Sequence, residues 1–413
     1  MVVAVAGAGI GGLVAALSLH QAGIPVRVFE AVRMVEPLGV GINILPHAVR
    51  ELFALGLEDA LLEIGVQTAA LAYFSKRGQP IWQEPRGREA GYDWPQISIH
   101  RGLLQQLLYR TAVERLGTGN VVTGHRVEAW REGGDSVTCQ LLRQADGAQV
   151  EVESSLLVGA DGIHSAVRRQ LYPDEGPPIW NGAVLWRGVT RGIPFLDNRT
   201  MIMAGHEFQK FVCYPIEPHG EPVINWIAEL KFRPDHHWRR EDWNRQGQLK
   251  DFLPRFATWR FGWLDVPALV EAAQGCFEYP MVDRDPLPHW SVGRVSLLGD
   301  AAHAMYPIGS NGASQAIIDA RVLAREIRDR GQTPQALASY EAERRPATSA
   351  IVLANRRNGP EQVMQLVEER APDGFADVSD VLQARELEAV ASAYKKIAGF
   401  SIEELNARPP ILG

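Results

Sequence analysis

Three glycines and one acid near the N-terminus have the types and spacing that a dinucleotide site requires. Gly7, Gly9 and Gly12, with Gly11 inside the same turn, follow an apolar run at residues 2–6 and open a helix-like stretch. A second apolar run, residues 26–29, ends at Glu30. The first glycine permits a tight turn, the second lets backbone approach a pyrophosphate, and the third lets the helix pack closely. Free N–H groups at the helix start favour phosphate, and Glu30 is placed to accept hydrogen bonds from a ribose diol. Glycines alone are a weak signal. Strand, turn, helix, strand and acid in register are a strong one.

Three more segments place polar groups on turns after apolar runs, where open α/β sheets bind ligands. In residues 159–168, Asp161 stands at a strand tip, Gly162 makes the turn, and Ser165 and Arg168 follow on a helix. An Asp–Arg pair that caps this helix without a ligand is the plainer alternative. In residues 298–303, Asp300 stands at a tip, and Ala301 and Ala302 let a flat group approach, with His303 after them. In residues 307–316, Pro307, Gly309, Asn311 and Gly312 form a loop running into a helix. The free N–H groups there can stabilise negative charge developing on a bound ring.

Two kinds of element must position these groups. Runs at 2–6 and 156–159 are uniformly apolar, and 26–29 and 295–298 are apolar but for Arg27 and Ser296, as buried parallel strands are. Helical periodicity marks residues 50–62 (broken at Gly56-Leu57), 101–116, 314–328 and 334–355. Three strand-like runs between 121 and 153 are separated by turns at Gly133-Gly134 and Asp146-Gly147, and residues 71–82 alternate loosely as strands. From residue 177 the composition turns aromatic and β-branched, and seven of the eleven tryptophans lie between Trp180 and Trp263. That predicts a mostly antiparallel sheet with one helix near residues 241–256. The tail from Pro360 is charged and helix-rich, either a dimer element or, more simply, a covering helix.

The fold class expected is α/β. A Rossmann-like domain with a parallel sheet is interleaved with a mostly antiparallel β-sheet substrate domain, and C-terminal helices follow. The expected bounds are 1–70, 96–176 and 281–356 for the first, 71–95 and 177–280 for the second, and 357–413 for the tail. A chain of 413 residues is long enough for two or three such cores. Its net charge of −7 speaks against a nucleic-acid partner. Cys139, Cys213 and Cys276 show neither metal spacing nor a disulfide framework, which fits small buried residues in a reducing cytoplasm. The apolar stretch 2–19 imitates a signal or anchor, but it lacks a basic flank, holds several glycines and is short for a membrane span. Whether the protein is a monomer or a dimer stays open.

Taken in order, the N-terminal turn, Asp161-Gly162 and Gly299-Asp300 resemble the FAD-dependent aromatic hydroxylases related to para-hydroxybenzoate hydroxylase, over residues 1–355. Longer stretches are similar to a narrower subgroup, the methylphenazine-carboxylate monooxygenases. They are Pro37-Leu-Gly-Val-Gly-Ile-Asn43, Ser98-Ile-His-Arg101-Gly, Trp186-Arg-Gly-Val-Thr190 and residues 279–290. The resemblance implies bound FAD, NADH or NADPH as a transient electron donor, and molecular oxygen. It implies hydroxylation of a small aromatic or heteroaromatic substrate through a flavin C4a-hydroperoxide, with or without decarboxylation. A single glycine fingerprint fits a nicotinamide that visits without a Rossmann domain of its own.

The same resemblance implies roles. Gly7, Gly9, Gly11 and Gly12 would hold the pyrophosphate, Glu30 the adenosine ribose, and Val127 would offer backbone to the adenine. Arg101 would reach the FAD phosphate or ribityl region, and Asp300 the ribityl or pyrophosphate. Asp161 would serve FAD and NAD(P)H, Gly41 would lie in a loop near the isoalloxazine, and Pro307, Gly309, Asn311 and Gly312 would line the ring. This chain departs from the pattern at Ser310, which fills the first glycine slot of the loop, and at Ile318, where an acid often precedes Asp319.

Catalytic candidates are Pro307, Tyr214 and Arg187, with Tyr279 and His303 beside them. Tyr214 and Tyr279 each precede a proline, and aromatic lining is the plainer reading over proton transfer. Arg187 can clasp a substrate carboxylate or form an inter-domain salt bridge, and both readings stand. His303 is expected to be structural or flavin-adjacent. Two other functions remain in view: an FAD-dependent reductase or halogenase, and a non-catalytic FAD-binding redox module. The halogenase motif Trp-x-Trp-x-Ile-Pro is missing, and the long Trp-rich middle argues against a bare module.

Overall fold

The apolar runs do become neighbouring strands. In the computed structural model, which describes residues 1–233, 245–357, 359–399 and 401–412, Val3–Ala6 is flanked in parallel by Val26–Phe29 and Leu156–Gly159. Val295–Leu297 extends this sheet beyond Leu156–Gly159, and Val121–Val122 extends it beyond Val26–Phe29, both in parallel. Ser291–Val292 closes one edge in antiparallel. Strands with no polar face must be covered on both sides. The helix Ile10–Gln21 covers one face and is itself largely apolar all round, because Gly312–Arg330 and Arg101–Leu116 pack against it. The expected helix at 50–62 is two helices, Pro46–Ala54 and Glu58–Ile64, meeting at the Gly56-Leu57 corner.

A second sheet of seven strands is mostly antiparallel. It runs Cys276–Asp283, Ile179–Arg191, Val223–Lys231, Gln209–Pro215, Thr200–His206, Ala70–Phe74 and Pro80–Pro85. Thr200–His206 and Ala70–Phe74 are its parallel pair. Period-two alternation gives this sheet two chemically distinct faces. Val184, Trp186, Ile202, Ala204, Phe211, Cys213, Ile224 and Trp226 point to one face, a closed core shared with Phe252, Phe256 and Leu269. Their neighbours Leu185, Arg187, Met201, Met203, Val212, Tyr214 and Asn225 point to the other, toward the first sheet and the tail.

The tryptophan-rich composition is therefore explained by core packing. Trp186 stacks on Phe252 and Trp226 on Phe211, with both indole N–H groups bonded, to Glu278 and Thr190. The helix expected at 241–256 is shorter: residues 241–244 lie outside the described residues, Leu249–Phe252 is α-helical and Leu253–Phe256 is a 3-10 turn. The tail covers. Val363, Met364, Val367, Leu382 and Leu387 pack on Leu71, Tyr73 and Met203, so Gln362–Arg370 and Ala384–Ile397 lie over the site-facing side of the second sheet. Among the described residues, no helix is long and apolar enough to cross a membrane.

Candidate active site

Adjacent parallel strands bring their C-terminal ends to one rim, so Glu30, Gly7 and Asp161 meet although they are far apart in the chain, and Asp300 follows the next strand along the same rim. A cleft of about 710 Å³ opens there, bordered by Gly7, Gly9, Glu30, Val127, Asp161 and Gly162. Ligand sites span roughly 300–1,000 Å³. Gly7 has φ +98°, and a Cβ on it would lie 2.5 Å from the Ala160 carbonyl oxygen. A Cβ on Gly12 would lie 2.1 Å from the Gly7 carbonyl, and one on Gly11 would strike Leu298. Gly9 differs: its missing side chain faces open space. Glu30 accepts the N–H groups of Ala8 (2.7 Å) and Val32 (2.9 Å), which fixes its carboxylate against the glycine turn. Val127 lies at a bulge, where the ladder passes from Leu141–Val127 to Gln140–Ala129 and leaves Glu128 unpaired across the strands.

Asp161 accepts from the Ser165 hydroxyl and the Ala166 N–H (2.7 Å), so it caps the helix Ala166–Leu171. Burial pushes its carboxyl above the ordinary value despite these bonds. The Asp–Arg pair, however, does not form. Arg168, 1% exposed, instead donates to the carbonyls of Ala301 and Ala302 (3.0 Å each) and pairs with Glu175. It ties the second strand tip to the third.

At that third tip the Asp300 side chain is exposed, at the first residue of the short helix Asp300–His303. His303 is buried and shares a hydrogen bond with Asp319. Asp319 also accepts from Gly299 N–H (3.2 Å) and from Arg344 Nε (2.7 Å). Burial by itself would raise the Asp319 carboxyl, but the charges and hydrogen bonds of His303 and Arg344 hold it below its ordinary value. From Arg344 the network runs to Gln315 (2.6 Å), Asn311 (3.2 Å) and the Tyr394 hydroxyl (2.9 Å). One buried polar chain thus joins residues 299–303 to the loop 307–312 and to the tail. Asn311 is fully buried in it, while Pro307 is exposed and Gly312 begins the nineteen-residue helix.

The loop's departure from the family pattern has a backbone consequence. Gly309 and Ser310 both sit in the left-handed region, at φ +68° and +57°. A Cβ on Gly309 would strike Tyr394, so glycine is needed there. Ser310 carries left-handed strain of about 1–2 kcal/mol. Ser310→Gly should therefore raise stability by about 0.5–1 kcal/mol, after the ~0.4–1 kcal/mol that glycine's freer unfolded chain takes back. Urea unfolding checks this, and a loss of stability would mean that the serine side chain is itself holding the loop.

Gly41 is not in a loop, as expected, but is the first residue of the strand Gly41–Ile44. The second sheet clamps it: its N–H donates to Asn225 Oδ1 and its carbonyl accepts from Arg187 Nη2, both at 2.7 Å. A Cβ here would lie 2.7 Å from Asn225. Arg187 thus spends a donor on backbone at the seam between the sheets. Beside it, burial raises the Tyr214 phenol to about 12, with Arg187 opposing, so Tyr214 stays neutral at ordinary pH while its oxygen accepts from Arg187. Burial also raises Tyr279. Arg101, exposed, opens the helix Arg101–Leu116, and its own N–H donates to Val40.

The structure adds residues that no motif flagged. Tyr73, Glu84, Arg86 and Lys395 gather with Met201 and Met203 in a small pocket beside Ser310. Tyr73, Glu84 and Arg86 belong to the strand pair 70–85 and its exit, and Lys395 to the tail, so local spacing carries no signal for them. Among the described residues, no group of three His, Cys, Asp or Glu side chains could hold a metal.

The FAD binding domain family matches residues 1–191 and 278–355. A phenazine 1,6-dicarboxylic acid hydroxylase of Lysobacter antibioticus is 45% identical over 96% of both chains. The chain belongs to the FAD-dependent aromatic hydroxylases. Salicylate hydroxylase of Pseudomonas putida is a further relative, 30% identical over 93% of this chain and 90% of its own. Among solved structures, HpxO of Klebsiella pneumoniae complexed with FAD superposes with a TM-score of 0.72 at 25% identity, over 98% of this chain and 96% of its own. As a member of this family the protein is an FAD-dependent monooxygenase that uses NAD(P)H and oxygen to hydroxylate aromatic substrates. Its cleft suits that cofactor: helix-start amides, an open Gly9 face and a fixed carboxylate are the complement of a pyrophosphate and a ribose.

Proposed function

We propose that this hydroxylase acts in the cytoplasm on a planar heteroaromatic acid of the phenazine class. The carrying observation is the 45% identity, over nearly the whole of both chains, to the hydroxylase named for phenazine 1,6-dicarboxylic acid. A small pocket beside the loop 307–312, with methionines on one wall and Arg86 and Lys395 on another, supports the same reading. In this proposal Gly7, Gly9, Gly11 and Gly12 hold the pyrophosphate of FAD, Glu30 its ribose, and the bulged backbone at Val127 its adenine. Asp161, Asp300 and Arg101 line the path to the ring, and Pro307, Gly309 and Gly312 border the ring. Asn311 acts from behind, as a member of the buried network.

Bound FAD supplies the redox and oxygen chemistry that side chains cannot. The chain supplies the surroundings. The start of the helix Gly312–Arg330 offers free N–H groups to charge developing on the ring. Asn225 and Arg187 hold the seam at Gly41, and Tyr214, neutral beside them, accepts from Arg187. The tail helices exclude water from the substrate face.

The test is to purify the protein with FAD and follow NADH and NADPH oxidation with phenazine carboxylates, salicylate and hydroxynicotinate. Product mass spectrometry should show one added oxygen, with or without loss of carbon dioxide, and the highest coupling should come with a phenazine acid. Equal or better coupling with single-ring acids would overturn the phenazine assignment.

A further inference from the structure

The small pocket beside Ser310 is out of balance in its polar groups. Leu45, Met201 and Met203 form apolar wall. Tyr73, Arg86 and Lys395 bring hydrogen-bond donors, two of them cationic. Against them stands one carboxylate, Glu84, which is 4% exposed and accepts from both Arg86 and Lys395 (2.8 Å to the latter). Gln96 also lines the space, with its amide nitrogen turned to Asn43 (3.5 Å), and the Tyr394 hydroxyl is committed to Asn311 and Asn355. Apart from each other, the buried Tyr73 hydroxyl and Arg86 Nε have no hydrogen-bond partner among the described residues. Buried donors are rarely left unpaired, because an unmade hydrogen bond away from water is costly. Two cations set against one lining carboxylate leave a positive excess in the lining. Glu361, which also acts on Tyr73, is engaged by Lys210, and the Tyr73 hydroxyl, an acceptor from Arg86, still wants an acceptor for its own proton.

We propose that this pocket holds the acid group of the substrate, with Arg86 and Tyr73 donating to its carboxylate and Lys395 balancing its charge. The inference rests on the heteroaromatic-acid reading above and deepens it. The aromatic ring then lies along Met201 and Met203, directed toward Ser310 and the flavin-facing loop. Glu84 orients Arg86 and Lys395 while neutralising only one of them. The C-terminal helix Ala384–Ile397 thereby becomes part of the substrate site and not only its cover. Arg187, whose Nε is also buried, is the weaker candidate because it does not line this pocket: it lies at the seam between the sheets, with Nη2 on the Gly41 carbonyl.

The experiment compares acids with their neutral amides on the FAD-loaded protein. Dissociation constants for phenazine-1-carboxylate against phenazine-1-carboxamide, and salicylate against salicylamide, are read from flavin fluorescence. The wild type is set beside Arg86→Gln, Lys395→Met, Tyr73→Phe and Arg187→Gln. Wild type should prefer the acid. Arg86→Gln and Lys395→Met should each weaken acid binding roughly 10- to 100-fold, Tyr73→Phe roughly 3- to 10-fold, while amide binding changes less than ~3-fold. Acid preference retained in Lys395→Met, or lost only in Arg187→Gln, overturns the assignment. Lys395 is a half-buried residue of the tail, so its variant decides the matter if Arg86→Gln fails to load flavin. A wild type that hydroxylates an acid while its variants keep the preference refutes this site alone. A wild type that binds neither acid refutes the substrate class and this site together.

Discussion

Gly9→Ala yields a folded protein that binds FAD poorly, whereas Gly12→Ala damages the fold as well. The two glycines lie three residues apart, yet an added methyl meets different things. At Gly9 it meets nothing within 4 Å, and the backbone is extended at φ −72°, which alanine adopts freely. The apo protein should lose less than about 1 kcal/mol, the cost of a poorer helix cap. The open space borders the cleft, so the methyl competes with the pyrophosphate. FAD affinity should fall roughly 10- to 100-fold, the ~1–3 kcal/mol of forcing a methyl into filled space. At Gly12 the methyl lies 2.1 Å from the Gly7 carbonyl, which must move and carries the turn with it. Apo stability should then drop by about 3 kcal/mol, the upper end for overpacking. Urea unfolding of the apo proteins, with FAD titration by fluorescence, separates the two. Equal FAD affinity in Gly9→Ala and wild type would show that the pyrophosphate lies elsewhere.

The second large effect is expected at Asp319, which touches no ligand in this assignment. Asp319→Asn should cost about 3–5 kcal/mol at neutral pH, because it leaves the buried Arg344 without its charge partner. The folded carboxyl lies below its ordinary value, so its contribution is complete above the unfolded carboxylate range. It is lost as pH falls through the depressed folded value. The stability gap between wild type and Asp319→Asn should therefore be widest at neutral pH and close in acid. FAD affinity should fall too, because Asp319 anchors the Gly299 amide next to Asp300. A gap independent of pH would mean that the carboxylate charge is not what Arg344 and His303 respond to.

Sequence alone was most informative where chemistry depends on backbone within one local unit. The glycine turn, the tips at Asp161 and Asp300 and the strands that carry them could be read because fixed spacings and apolar runs are local properties. It was least informative where a side chain's partner lies far along the chain. An Asp161–Arg168 pair is one of two readings the local pattern allows, but Arg168 reaches the carbonyls of Ala301 and Ala302 instead. The Trp-rich stretch suggested a substrate chamber, but its Trp186, Trp226 and Trp259 are buried in the core on the sheet's other face. Alternation reveals that a strand has two faces, but not which layer covers each. The lysine poor in motif and remote in sequence, Lys395, enters a pocket that only the folded tail creates.

What the sequence determined by itself is the cofactor class. Phosphate recognition by backbone amides at a helix start needs glycines at set positions, and together with the tips at Asp161 and Asp300 those positions are local and legible. Tertiary structure decided which groups hold the site in shape and what closes its substrate face. The network from Gly299 through Asp319, Arg344 and Gln315 to Tyr394, and the donors of Tyr73, Arg86 and Lys395, each join segments with no common spacing. Such side chains become neighbours only when burial of the two sheets and the tail brings them together, and that is a property of packing, not of any local pattern.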